Sequence, residues 1–320
     1  MYNNKIYYHI GSYPPPLGGV SVHIYRHSKL LQKEGWIVKN IDYSKGRYFG
    51  KLLKILTLIL VPNMNVIHMH GSDFKSIFAL ILRPYKSTIK LTDHSGRKIS
   101  ELKGLKKCLF IIFLKKIDQL ILVGKHLETY YESNGIKIPN NKAVVENAFI
   151  PPPKEDEPII LQTYTEQTKN FIKAHQPLII ANAFQLVFYQ GTDLYGLDMC
   201  IELTAKLKEK YPNMGFLFAL ANDKENQSYL NKMKNRIKEL DIEENFLFMT
   251  GQKELWPLFK KANLMVRPTN TDGDALSIRE ALYFSCPAIA SDVCKRSEGT
   301  VLFKTRDMDD LFEKVQKILL

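Results

Sequence analysis

The chain has 320 residues, 45% hydrophobic and 24% charged, which is the balance of an ordinary globular protein and a length suited to two domains. Its formal net charge of +12 is lopsided, with 23 Lys and Arg against 9 Asp and Glu in residues 1–150 and 22 against 24 in residues 151–320. No apolar run approaches the roughly 18 residues of a membrane-spanning helix, the four cysteines form no Cys-x-x-Cys pair, and the basic half carries no nucleic-acid-binding motif, which argues against an integral-membrane, zinc-ribbon or nucleic-acid-binding protein.

In chain order, apolar runs predict strands over 5–10, 36–42, 65–70, 87–92, 118–123 and 142–146. Helical spacing fills the gaps over 20–34, 50–60, 74–83, 99–116 and 125–133. A Pro- and acid-rich stretch, 151–158 (PPPKEDEP), then reads as a linker. Beyond it strands are expected at 178–182, 214–220, 245–249, 263–267, 287–290 and 300–303, alternating with helices at 196–210, 226–239, 253–261, 276–285 and 308–319. Strands spaced by helices make parallel sheets, so the pattern predicts an α/β protein of two Rossmann-like, doubly wound domains, 1–152 and 153–320, facing a cleft. Ligands are expected at the carboxyl ends of the strands. The chain enters its first strand without a signal peptide, and Cys108, Cys200, Cys286 and Cys294 read as reduced thiols, so a cytoplasmic protein is expected. The charge of the first half implies an anionic partner, and a membrane surface or a diphosphate-bearing acceptor fits better than nucleic acid. Two basic-apolar stretches, 51–60 and 103–116, have the pattern of peripheral membrane helices, which half-buried helices share equally.

The densest chemistry lies in 270–282 (NTDGDALSIREAL), between a buried strand and a helix. Asp272 falls in the loop and Glu280 about one turn into the helix, whose free N-terminal amides face the same space. Carboxylates accept from sugar hydroxyls, while the amides of Ala275, Leu276 and Ser277 suit phosphates. Gly18 and Gly19, before the first helix, permit close approach of a phosphate, although a ligand-free Pro/Gly turn explains them equally well. His94 follows the fourth strand at the expected cleft rim, where an isolated histidine is more often a loop or capping residue. His68 and His70 alternate on one strand and so share a face. Asp272, Gly273 and Asp274 also have D-x-D metal spacing, with Asp274 alternatively an N-cap.

Together these segments resemble the retaining glycosyltransferases of family 4. Asp272 stands at the first acid and Glu280 at the second of the family's E-x7-E signature, and the residues from Cys286 to Ser291 (CPAIAS) resemble its continuation. The resemblance extends from residue 6 to about 303 and implies the GT-B architecture. It implies donor-diphosphate contact at Gly18 and Gly19, donor-sugar contact at His94, and base recognition around Thr250 and Gly251, with His70 approaching the acceptor and His68 structural. Gly273, Asp274, Ala275, Leu276 and Ser277 are implied in donor binding. Asn182 and Tyr195 occupy the positions of an Arg and a Lys that in the family neutralise the leaving diphosphate. Arg267 is the best substitute for that pair, ahead of Arg279, Gln190 and Lys125.

The implied reaction takes a sugar from a nucleotide-diphosphate donor to a saccharide acceptor, lipid-linked, in building a bacterial surface glycan such as O-antigen. It needs no metal or other cofactor. Two other readings stay open: a catalytically silent sugar-nucleotide-binding or scaffold subunit, and a GT-B epimerase or hydrolase with only His94 as acid or base. The chain stops at Leu320, short of the tail helix that the architecture usually carries, so looser domain closure is expected.

Overall fold

Each short apolar run becomes a strand and each longer amphipathic stretch a helix, because side chains repeat every second residue in one and every 3.6 in the other. The computed structural model describes residues 5–43, 48–139, 141–146, 149–273 and 275–320 (the side chains of 48, 97 and 98 excepted). These fall into two units, Met1–Ile150 and Pro151–Leu320.

The first unit runs β1 (Ile6–Ile10), α1 (Gly19–Lys33), β2 (Ile37–Ile41), α2 (Tyr48–Leu60), β3 (Val66–His70), α3 (Phe74–Leu82), β4 (Thr88–Asp93), α4 (Arg97–Ser100), α5 (Gly104–Lys116), β5 (Gln119–Leu122), α6 (His126–Ser133) and β6 (Ala143–Val145). Its sheet is parallel in the order β2-β1-β3-β4-β5-β6. One face is an ordinary apolar core: Ile10, Met69 and Leu91 pack with Leu80 of α3 and Phe113 of α5. The opposite face differs. Beneath α1 the buried apolar cluster among the described residues is small, Tyr7, Leu31 and Val66, and imidazoles occupy the strand positions next to it.

The second unit begins with a 3-10 turn (Lys154–Asp156) and continues α7 (Glu157–Gln162), α8 (Glu166–Ala174), β7 (Leu178–Gln185), β8 (Phe188–Tyr189), β9 (Thr192–Asp193), α9 (Leu197–Lys208), β10 (Gly215–Asn222), α10 (Gln227–Glu239), β11 (Phe246–Thr250), α11 (Trp256–Phe259), β12 (Leu264–Arg267), α12 (Leu276–Tyr283), β13 (Ala288–Ser291), β14 (Thr300–Phe303) and α13 (Met308–Leu319). Its six-stranded sheet, β11-β10-β7-β12-β13-β14, is parallel throughout. Alternation divides it cleanly: Ile179 and Ala181 of β7 face α9, α10 and α13, whereas Leu178 and Ile180 face α8, α11 and α12.

Three expectations need correction. The helix expected over 99–116 is broken into α4 and α5, because Lys103 is extended and Gly104 takes φ +52. The helix expected over 253–261 shrinks to α11, since Pro257 is tolerated only in a first turn. The linker expected at 151–158 is largely helical from Lys154 onward, its acidic residues sitting at helix N-termini where the dipole favours them. The β8–β9 hairpin was not foreseen; Gln190 and Gly191, both at positive φ, make its two-residue turn.

Candidate active site

In the second sheet the order reverses between β7 and β12: the chain moves outward through β10 to β11, then returns to the other side of β7. Such a switch point is where doubly wound sheets bind ligands. Arg267 is the last residue of β12 and lies beside Asn182 of β7. Its Nη1 donates to the Asn182 carbonyl and Oδ1, both at 3.2 Å. Its Nε and Nη2 donate to Asp272 Oδ2 and Oδ1 at 2.8 and 3.2 Å, and its guanidinium lies over the Tyr195 ring, 5.4 Å from the centroid. The structure therefore brings Asn182, Tyr195, Arg267 and Asp272 together.

A second arginine, Arg296, completes the group. Its Nη1 donates to Asp272 Oδ2 at 2.7 Å, its Nη2 to Thr269 Oγ1 and Ser291 Oγ, and its Nε to the Ser291 carbonyl. Asp272 Oδ1 also accepts the Gly273 N–H at 2.9 Å. Burial alone would raise the Asp272 carboxyl, but Arg267 and then Arg296 outweigh it and hold it at about 2. Asp272 was expected to accept from sugar hydroxyls; instead both its oxygens are taken by guanidinium and backbone donors. One carboxylate against two guanidiniums leaves this cluster with one net positive charge. Arg296, in the loop after β13, carried no signal in the sequence, because only the folded sheet brings it to Asp272.

Glu280 lies on the inward face of α12 at 6% exposure. Burial, then the charges of Glu254 and Glu280, push the Tyr164 hydroxyl up. No side chain caps α12 at Ala275; Leu276 is half-buried, Ser277 buried and Gly273 exposed. Asp274 lies outside the described residues. Arg279 is half-buried on α12, Gln190 is in the hairpin turn and Lys125 is exposed at the start of α6 in the first unit. Thr250 and Gly251 are exposed at the end of β11, two strands from β7.

The N-terminus of α9 is closed by another acid that the sequence reading missed. Asp193 accepts the N–H groups of Tyr195, Gly196 and Leu197 and the Tyr229 hydroxyl. An acid just ahead of a helix was the available signal.

The first unit has its own switch point, between β1 and β3, and histidines fill it. Six of the chain's eight are here: His9 on β1, His68 and His70 on β3, His94 after β4, and His23 and His27 one turn apart on α1. His9 Nδ1 is 2.9 Å from His70 Nε2, and His70 Nδ1 is 3.2 Å from His94 Nε2. His68 is held from both sides, by the Tyr7 hydroxyl at 2.8 Å and Thr92 Oγ1 at 2.7 Å. Burial, then neighbouring His23, keeps His94 down at about 3 and His27 at about 4. His23, His27 and His9 were not singled out in the sequence, although an i,i+4 pair facing an alternating strand was a usable signal. Burying an aliphatic side chain contributes about 1.5–3 kcal/mol, whereas leaving a buried ring nitrogen unpaired costs about 1–3 kcal/mol. His9 Nε2 and His27 Nδ1 are buried without a hydrogen-bond partner. Stability therefore does not account for this face.

A pocket of about 470 Å³ opens beside these rings, lined by His70, His94, Asp42, Ser72, Asp73 and Ser95 among others. Gly18 caps α1 in extended conformation, its N–H donating to Ser21 Oγ at 2.9 Å. A Cβ added at Gly19 would meet nothing within 4 Å, and at Gly18 only Ser21 Oγ at 3.9 Å. Neither glycine is demanded by the unit's own packing.

Two consecutive Rossmann-like domains with this strand order place the chain in the GT-B class of glycosyltransferase folds. The model of the glycosyl transferases group 1 family matches residues 172–320, most of the second unit. The chain is 24% identical over 190 residues to lipopolysaccharide glucosyltransferase WaaG of Escherichia coli K12; the match covers 57% of this chain and 47% of that protein, about half its length. Among solved structures, Alr3699/HepE of Anabaena in complex with UDP superposes with a TM-score of 0.65 at 12% identity, covering 98% of this chain and 89% of that one. Sucrose-phosphate synthase of Thermosynechococcus elongatus superposes with a TM-score of 0.63 at 15% identity, covering 99% and 90%. At these identities the likeness is one of fold.

Proposed function

We propose that the protein is a glycosyltransferase that moves a sugar from a nucleoside-diphosphate sugar to a saccharide acceptor with retention of anomeric configuration. The observation that carries this is the net positive Arg267–Asp272–Arg296 cluster at the β7–β12 switch point of a domain that the group 1 family model matches. A leaving diphosphate needs charge stabilisation preorganised where its charge develops. The residues at the usual cationic positions, Asn182 and Tyr195, supply none, but both contact Arg267. UDP in the Anabaena structure of the same fold supports a nucleotide donor.

In this reading the bond from the anomeric carbon to the diphosphate breaks through an oxocarbenium-like state. The acceptor hydroxyl attacks from the same face and passes its proton to a leaving phosphate oxygen. The protein positions and stabilises charge rather than attacking covalently. Glu280 holds hydroxyls of the donor, the amides at Ala275 to Ser277 and the Gly18–Gly19 turn receive phosphates, Thr250 and Gly251 lie at the base, His94 contacts the sugar and His70 the acceptor. We place no metal in the 272–274 loop, because Asp272 already has two cationic partners.

A lipid-linked acceptor for a bacterial surface glycan is favoured by the likeness to a lipopolysaccharide glucosyltransferase and by one face of the first unit. Phe49, Leu53 and Leu60 of α2, Leu82 of α3 and Leu105 of α5 are exposed there among lysines, as on a helix layer that rests on an anionic membrane. No helix of the described residues is long and apolar enough to cross one.

Calorimetric titration with UDP, GDP, ADP, CMP and dTDP sugars on wild type and Glu280→Ala tests the reading. Binding of one nucleotide class that the variant loses is expected; no binding to any of them sinks it. Binding without turnover would favour a silent binding subunit, a reading that draws on Arg267 already making four hydrogen bonds to Asp272 and Asn182.

A further inference from the structure

We propose that His23, His70 and His94 bind a divalent transition-metal ion of the Zn²⁺ class, with one coordination position left open to the adjoining pocket. Ring nitrogens of the three lie within 4.8 Å of one another, and His70 Nδ1 and His94 Nε2 are 3.2 Å apart. Two nitrogens on one tetrahedral zinc, each bonded at about 2.0–2.1 Å, stand about 3.3 Å apart. An ion can therefore enter between these two rings with little movement of either.

The surroundings fit a ligand set. Metal on His70 Nδ1 puts the ring proton on Nε2, which is 2.9 Å from His9 Nδ1, the outer hydrogen bond that orients a metal-bound imidazole. His94 follows a turn pinned by Asp93, whose Oδ1 accepts the N–H groups of Ser95 and Gly96 at 3.0 and 2.8 Å. The three ligands come from α1, β3 and the end of β4, so the framework is set before an ion arrives.

Three neutral imidazoles select zinc, copper, nickel or cobalt over magnesium and calcium, which take oxygen ligands. Three protein ligands and an open position mark a reactive rather than a purely structural zinc site. The open position faces the pocket lined by Asp42, Ser72 and Asp73, where a water or a sugar hydroxyl would complete the shell. The inner trio of His9, His27 and His68 also has nitrogens within 4.8 Å, but Tyr7 and Thr92 engage both nitrogens of His68. That trio supports the outer one.

The test uses the full chain, stripped with chelator and titrated with ZnCl₂ alone, so it needs no sugar nucleotide and can fail independently of the transferase reading. One equivalent with Kd below about 1 μM is expected. Co²⁺ in place of zinc should give the intense visible bands of a four-coordinate ion. His94→Ala and His23→Ala, with folding checked by circular dichroism, should lose tight binding. His9→Ala should weaken it by about 10–100-fold at unchanged stoichiometry, and His175→Ala, outside the cluster, should leave it intact. Absence of stoichiometric binding by the wild type overturns the site. So does a His94→Ala protein that binds as tightly as wild type, or loss of the ion on His27→Ala but not on His94→Ala.

Discussion

Arg267 and Asp272, five residues apart, form a two-pronged ion pair, with Nε 2.8 Å from Oδ2 and Nη2 3.2 Å from Oδ1. The loop after β12 thus folds back on the strand it leaves. Arg296 then reaches the same carboxylate from beyond β13, so one acid organises the end of two strands.

Removing that acid should be costly. Asp272→Asn leaves two guanidiniums, 10% and 2% exposed, without their shared counter-charge. Breaking a buried pair from one side costs about 3–5 kcal/mol. Urea denaturation of the full chain should show a loss of that order, and a loss below about 1 kcal/mol would mean that water replaces the carboxylate.

The same pair predicts an acid limb in the stability curve. The folded-state pKa of Asp272 is about 2 against an ordinary 3.8, so the folded protein gives up this proton more readily than the unfolded chain. The stabilisation is complete above about pH 4 and fades as pH falls through about 2. Subtracting the pH profile of Asp272→Asn from that of wild type should leave a step in this window; parallel profiles would count against the pairing.

Gly196 is a backbone requirement. It sits at φ +69, and a Cβ there would stand 2.4 Å from the Pro268 carbonyl oxygen. Strain of this kind costs about 1–3 kcal/mol before the clash is relieved. Gly196→Ala should therefore lower the melting temperature by several degrees and, by displacing the turn carrying Tyr195, weaken sugar-nucleotide binding. An unshifted melting temperature would refute the contact.

Gly19 should behave oppositely. With open space around it, Gly19→Ala should change stability by no more than about 0.5 kcal/mol. If a diphosphate lies against the start of α1, the added methyl should nonetheless reduce donor affinity in calorimetry. Unchanged affinity would remove this turn from the donor site.

Introducing negative charge on the apolar face of α2 tests the membrane face. Phe49→Glu combined with Leu53→Glu should abolish co-sedimentation with anionic lipid vesicles while leaving sugar-nucleotide binding unaltered. Equal sedimentation by the variant would detach that surface from lipid.

The strands and most helices were legible because burial imposes a local period on a parallel βαβ chain. Ile179 and Ile180 point to opposite sides of β7 because of their parity, whatever lies elsewhere in the chain. Helix breaks were less legible, since at Lys103 and Gly104 the apolar spacing runs on while the backbone does not. The 270–282 segment stood out as a candidate site because its acids, glycine and helix start are neighbours in sequence.

Long-range partners were not legible. Asp272 stood out as a candidate from its neighbours, but its state depends on Arg296, 24 residues away, which reaches it only when β13 pairs with β12. The histidines show the same division: sequence placed His68 and His70 on one face, and the order β1-β3-β4 under α1 brought His9, His23, His27 and His94 to them. Local periodicity determines which elements form. Which charges and rings meet depends on strand order and register, and those are set by contacts between segments far apart in the chain.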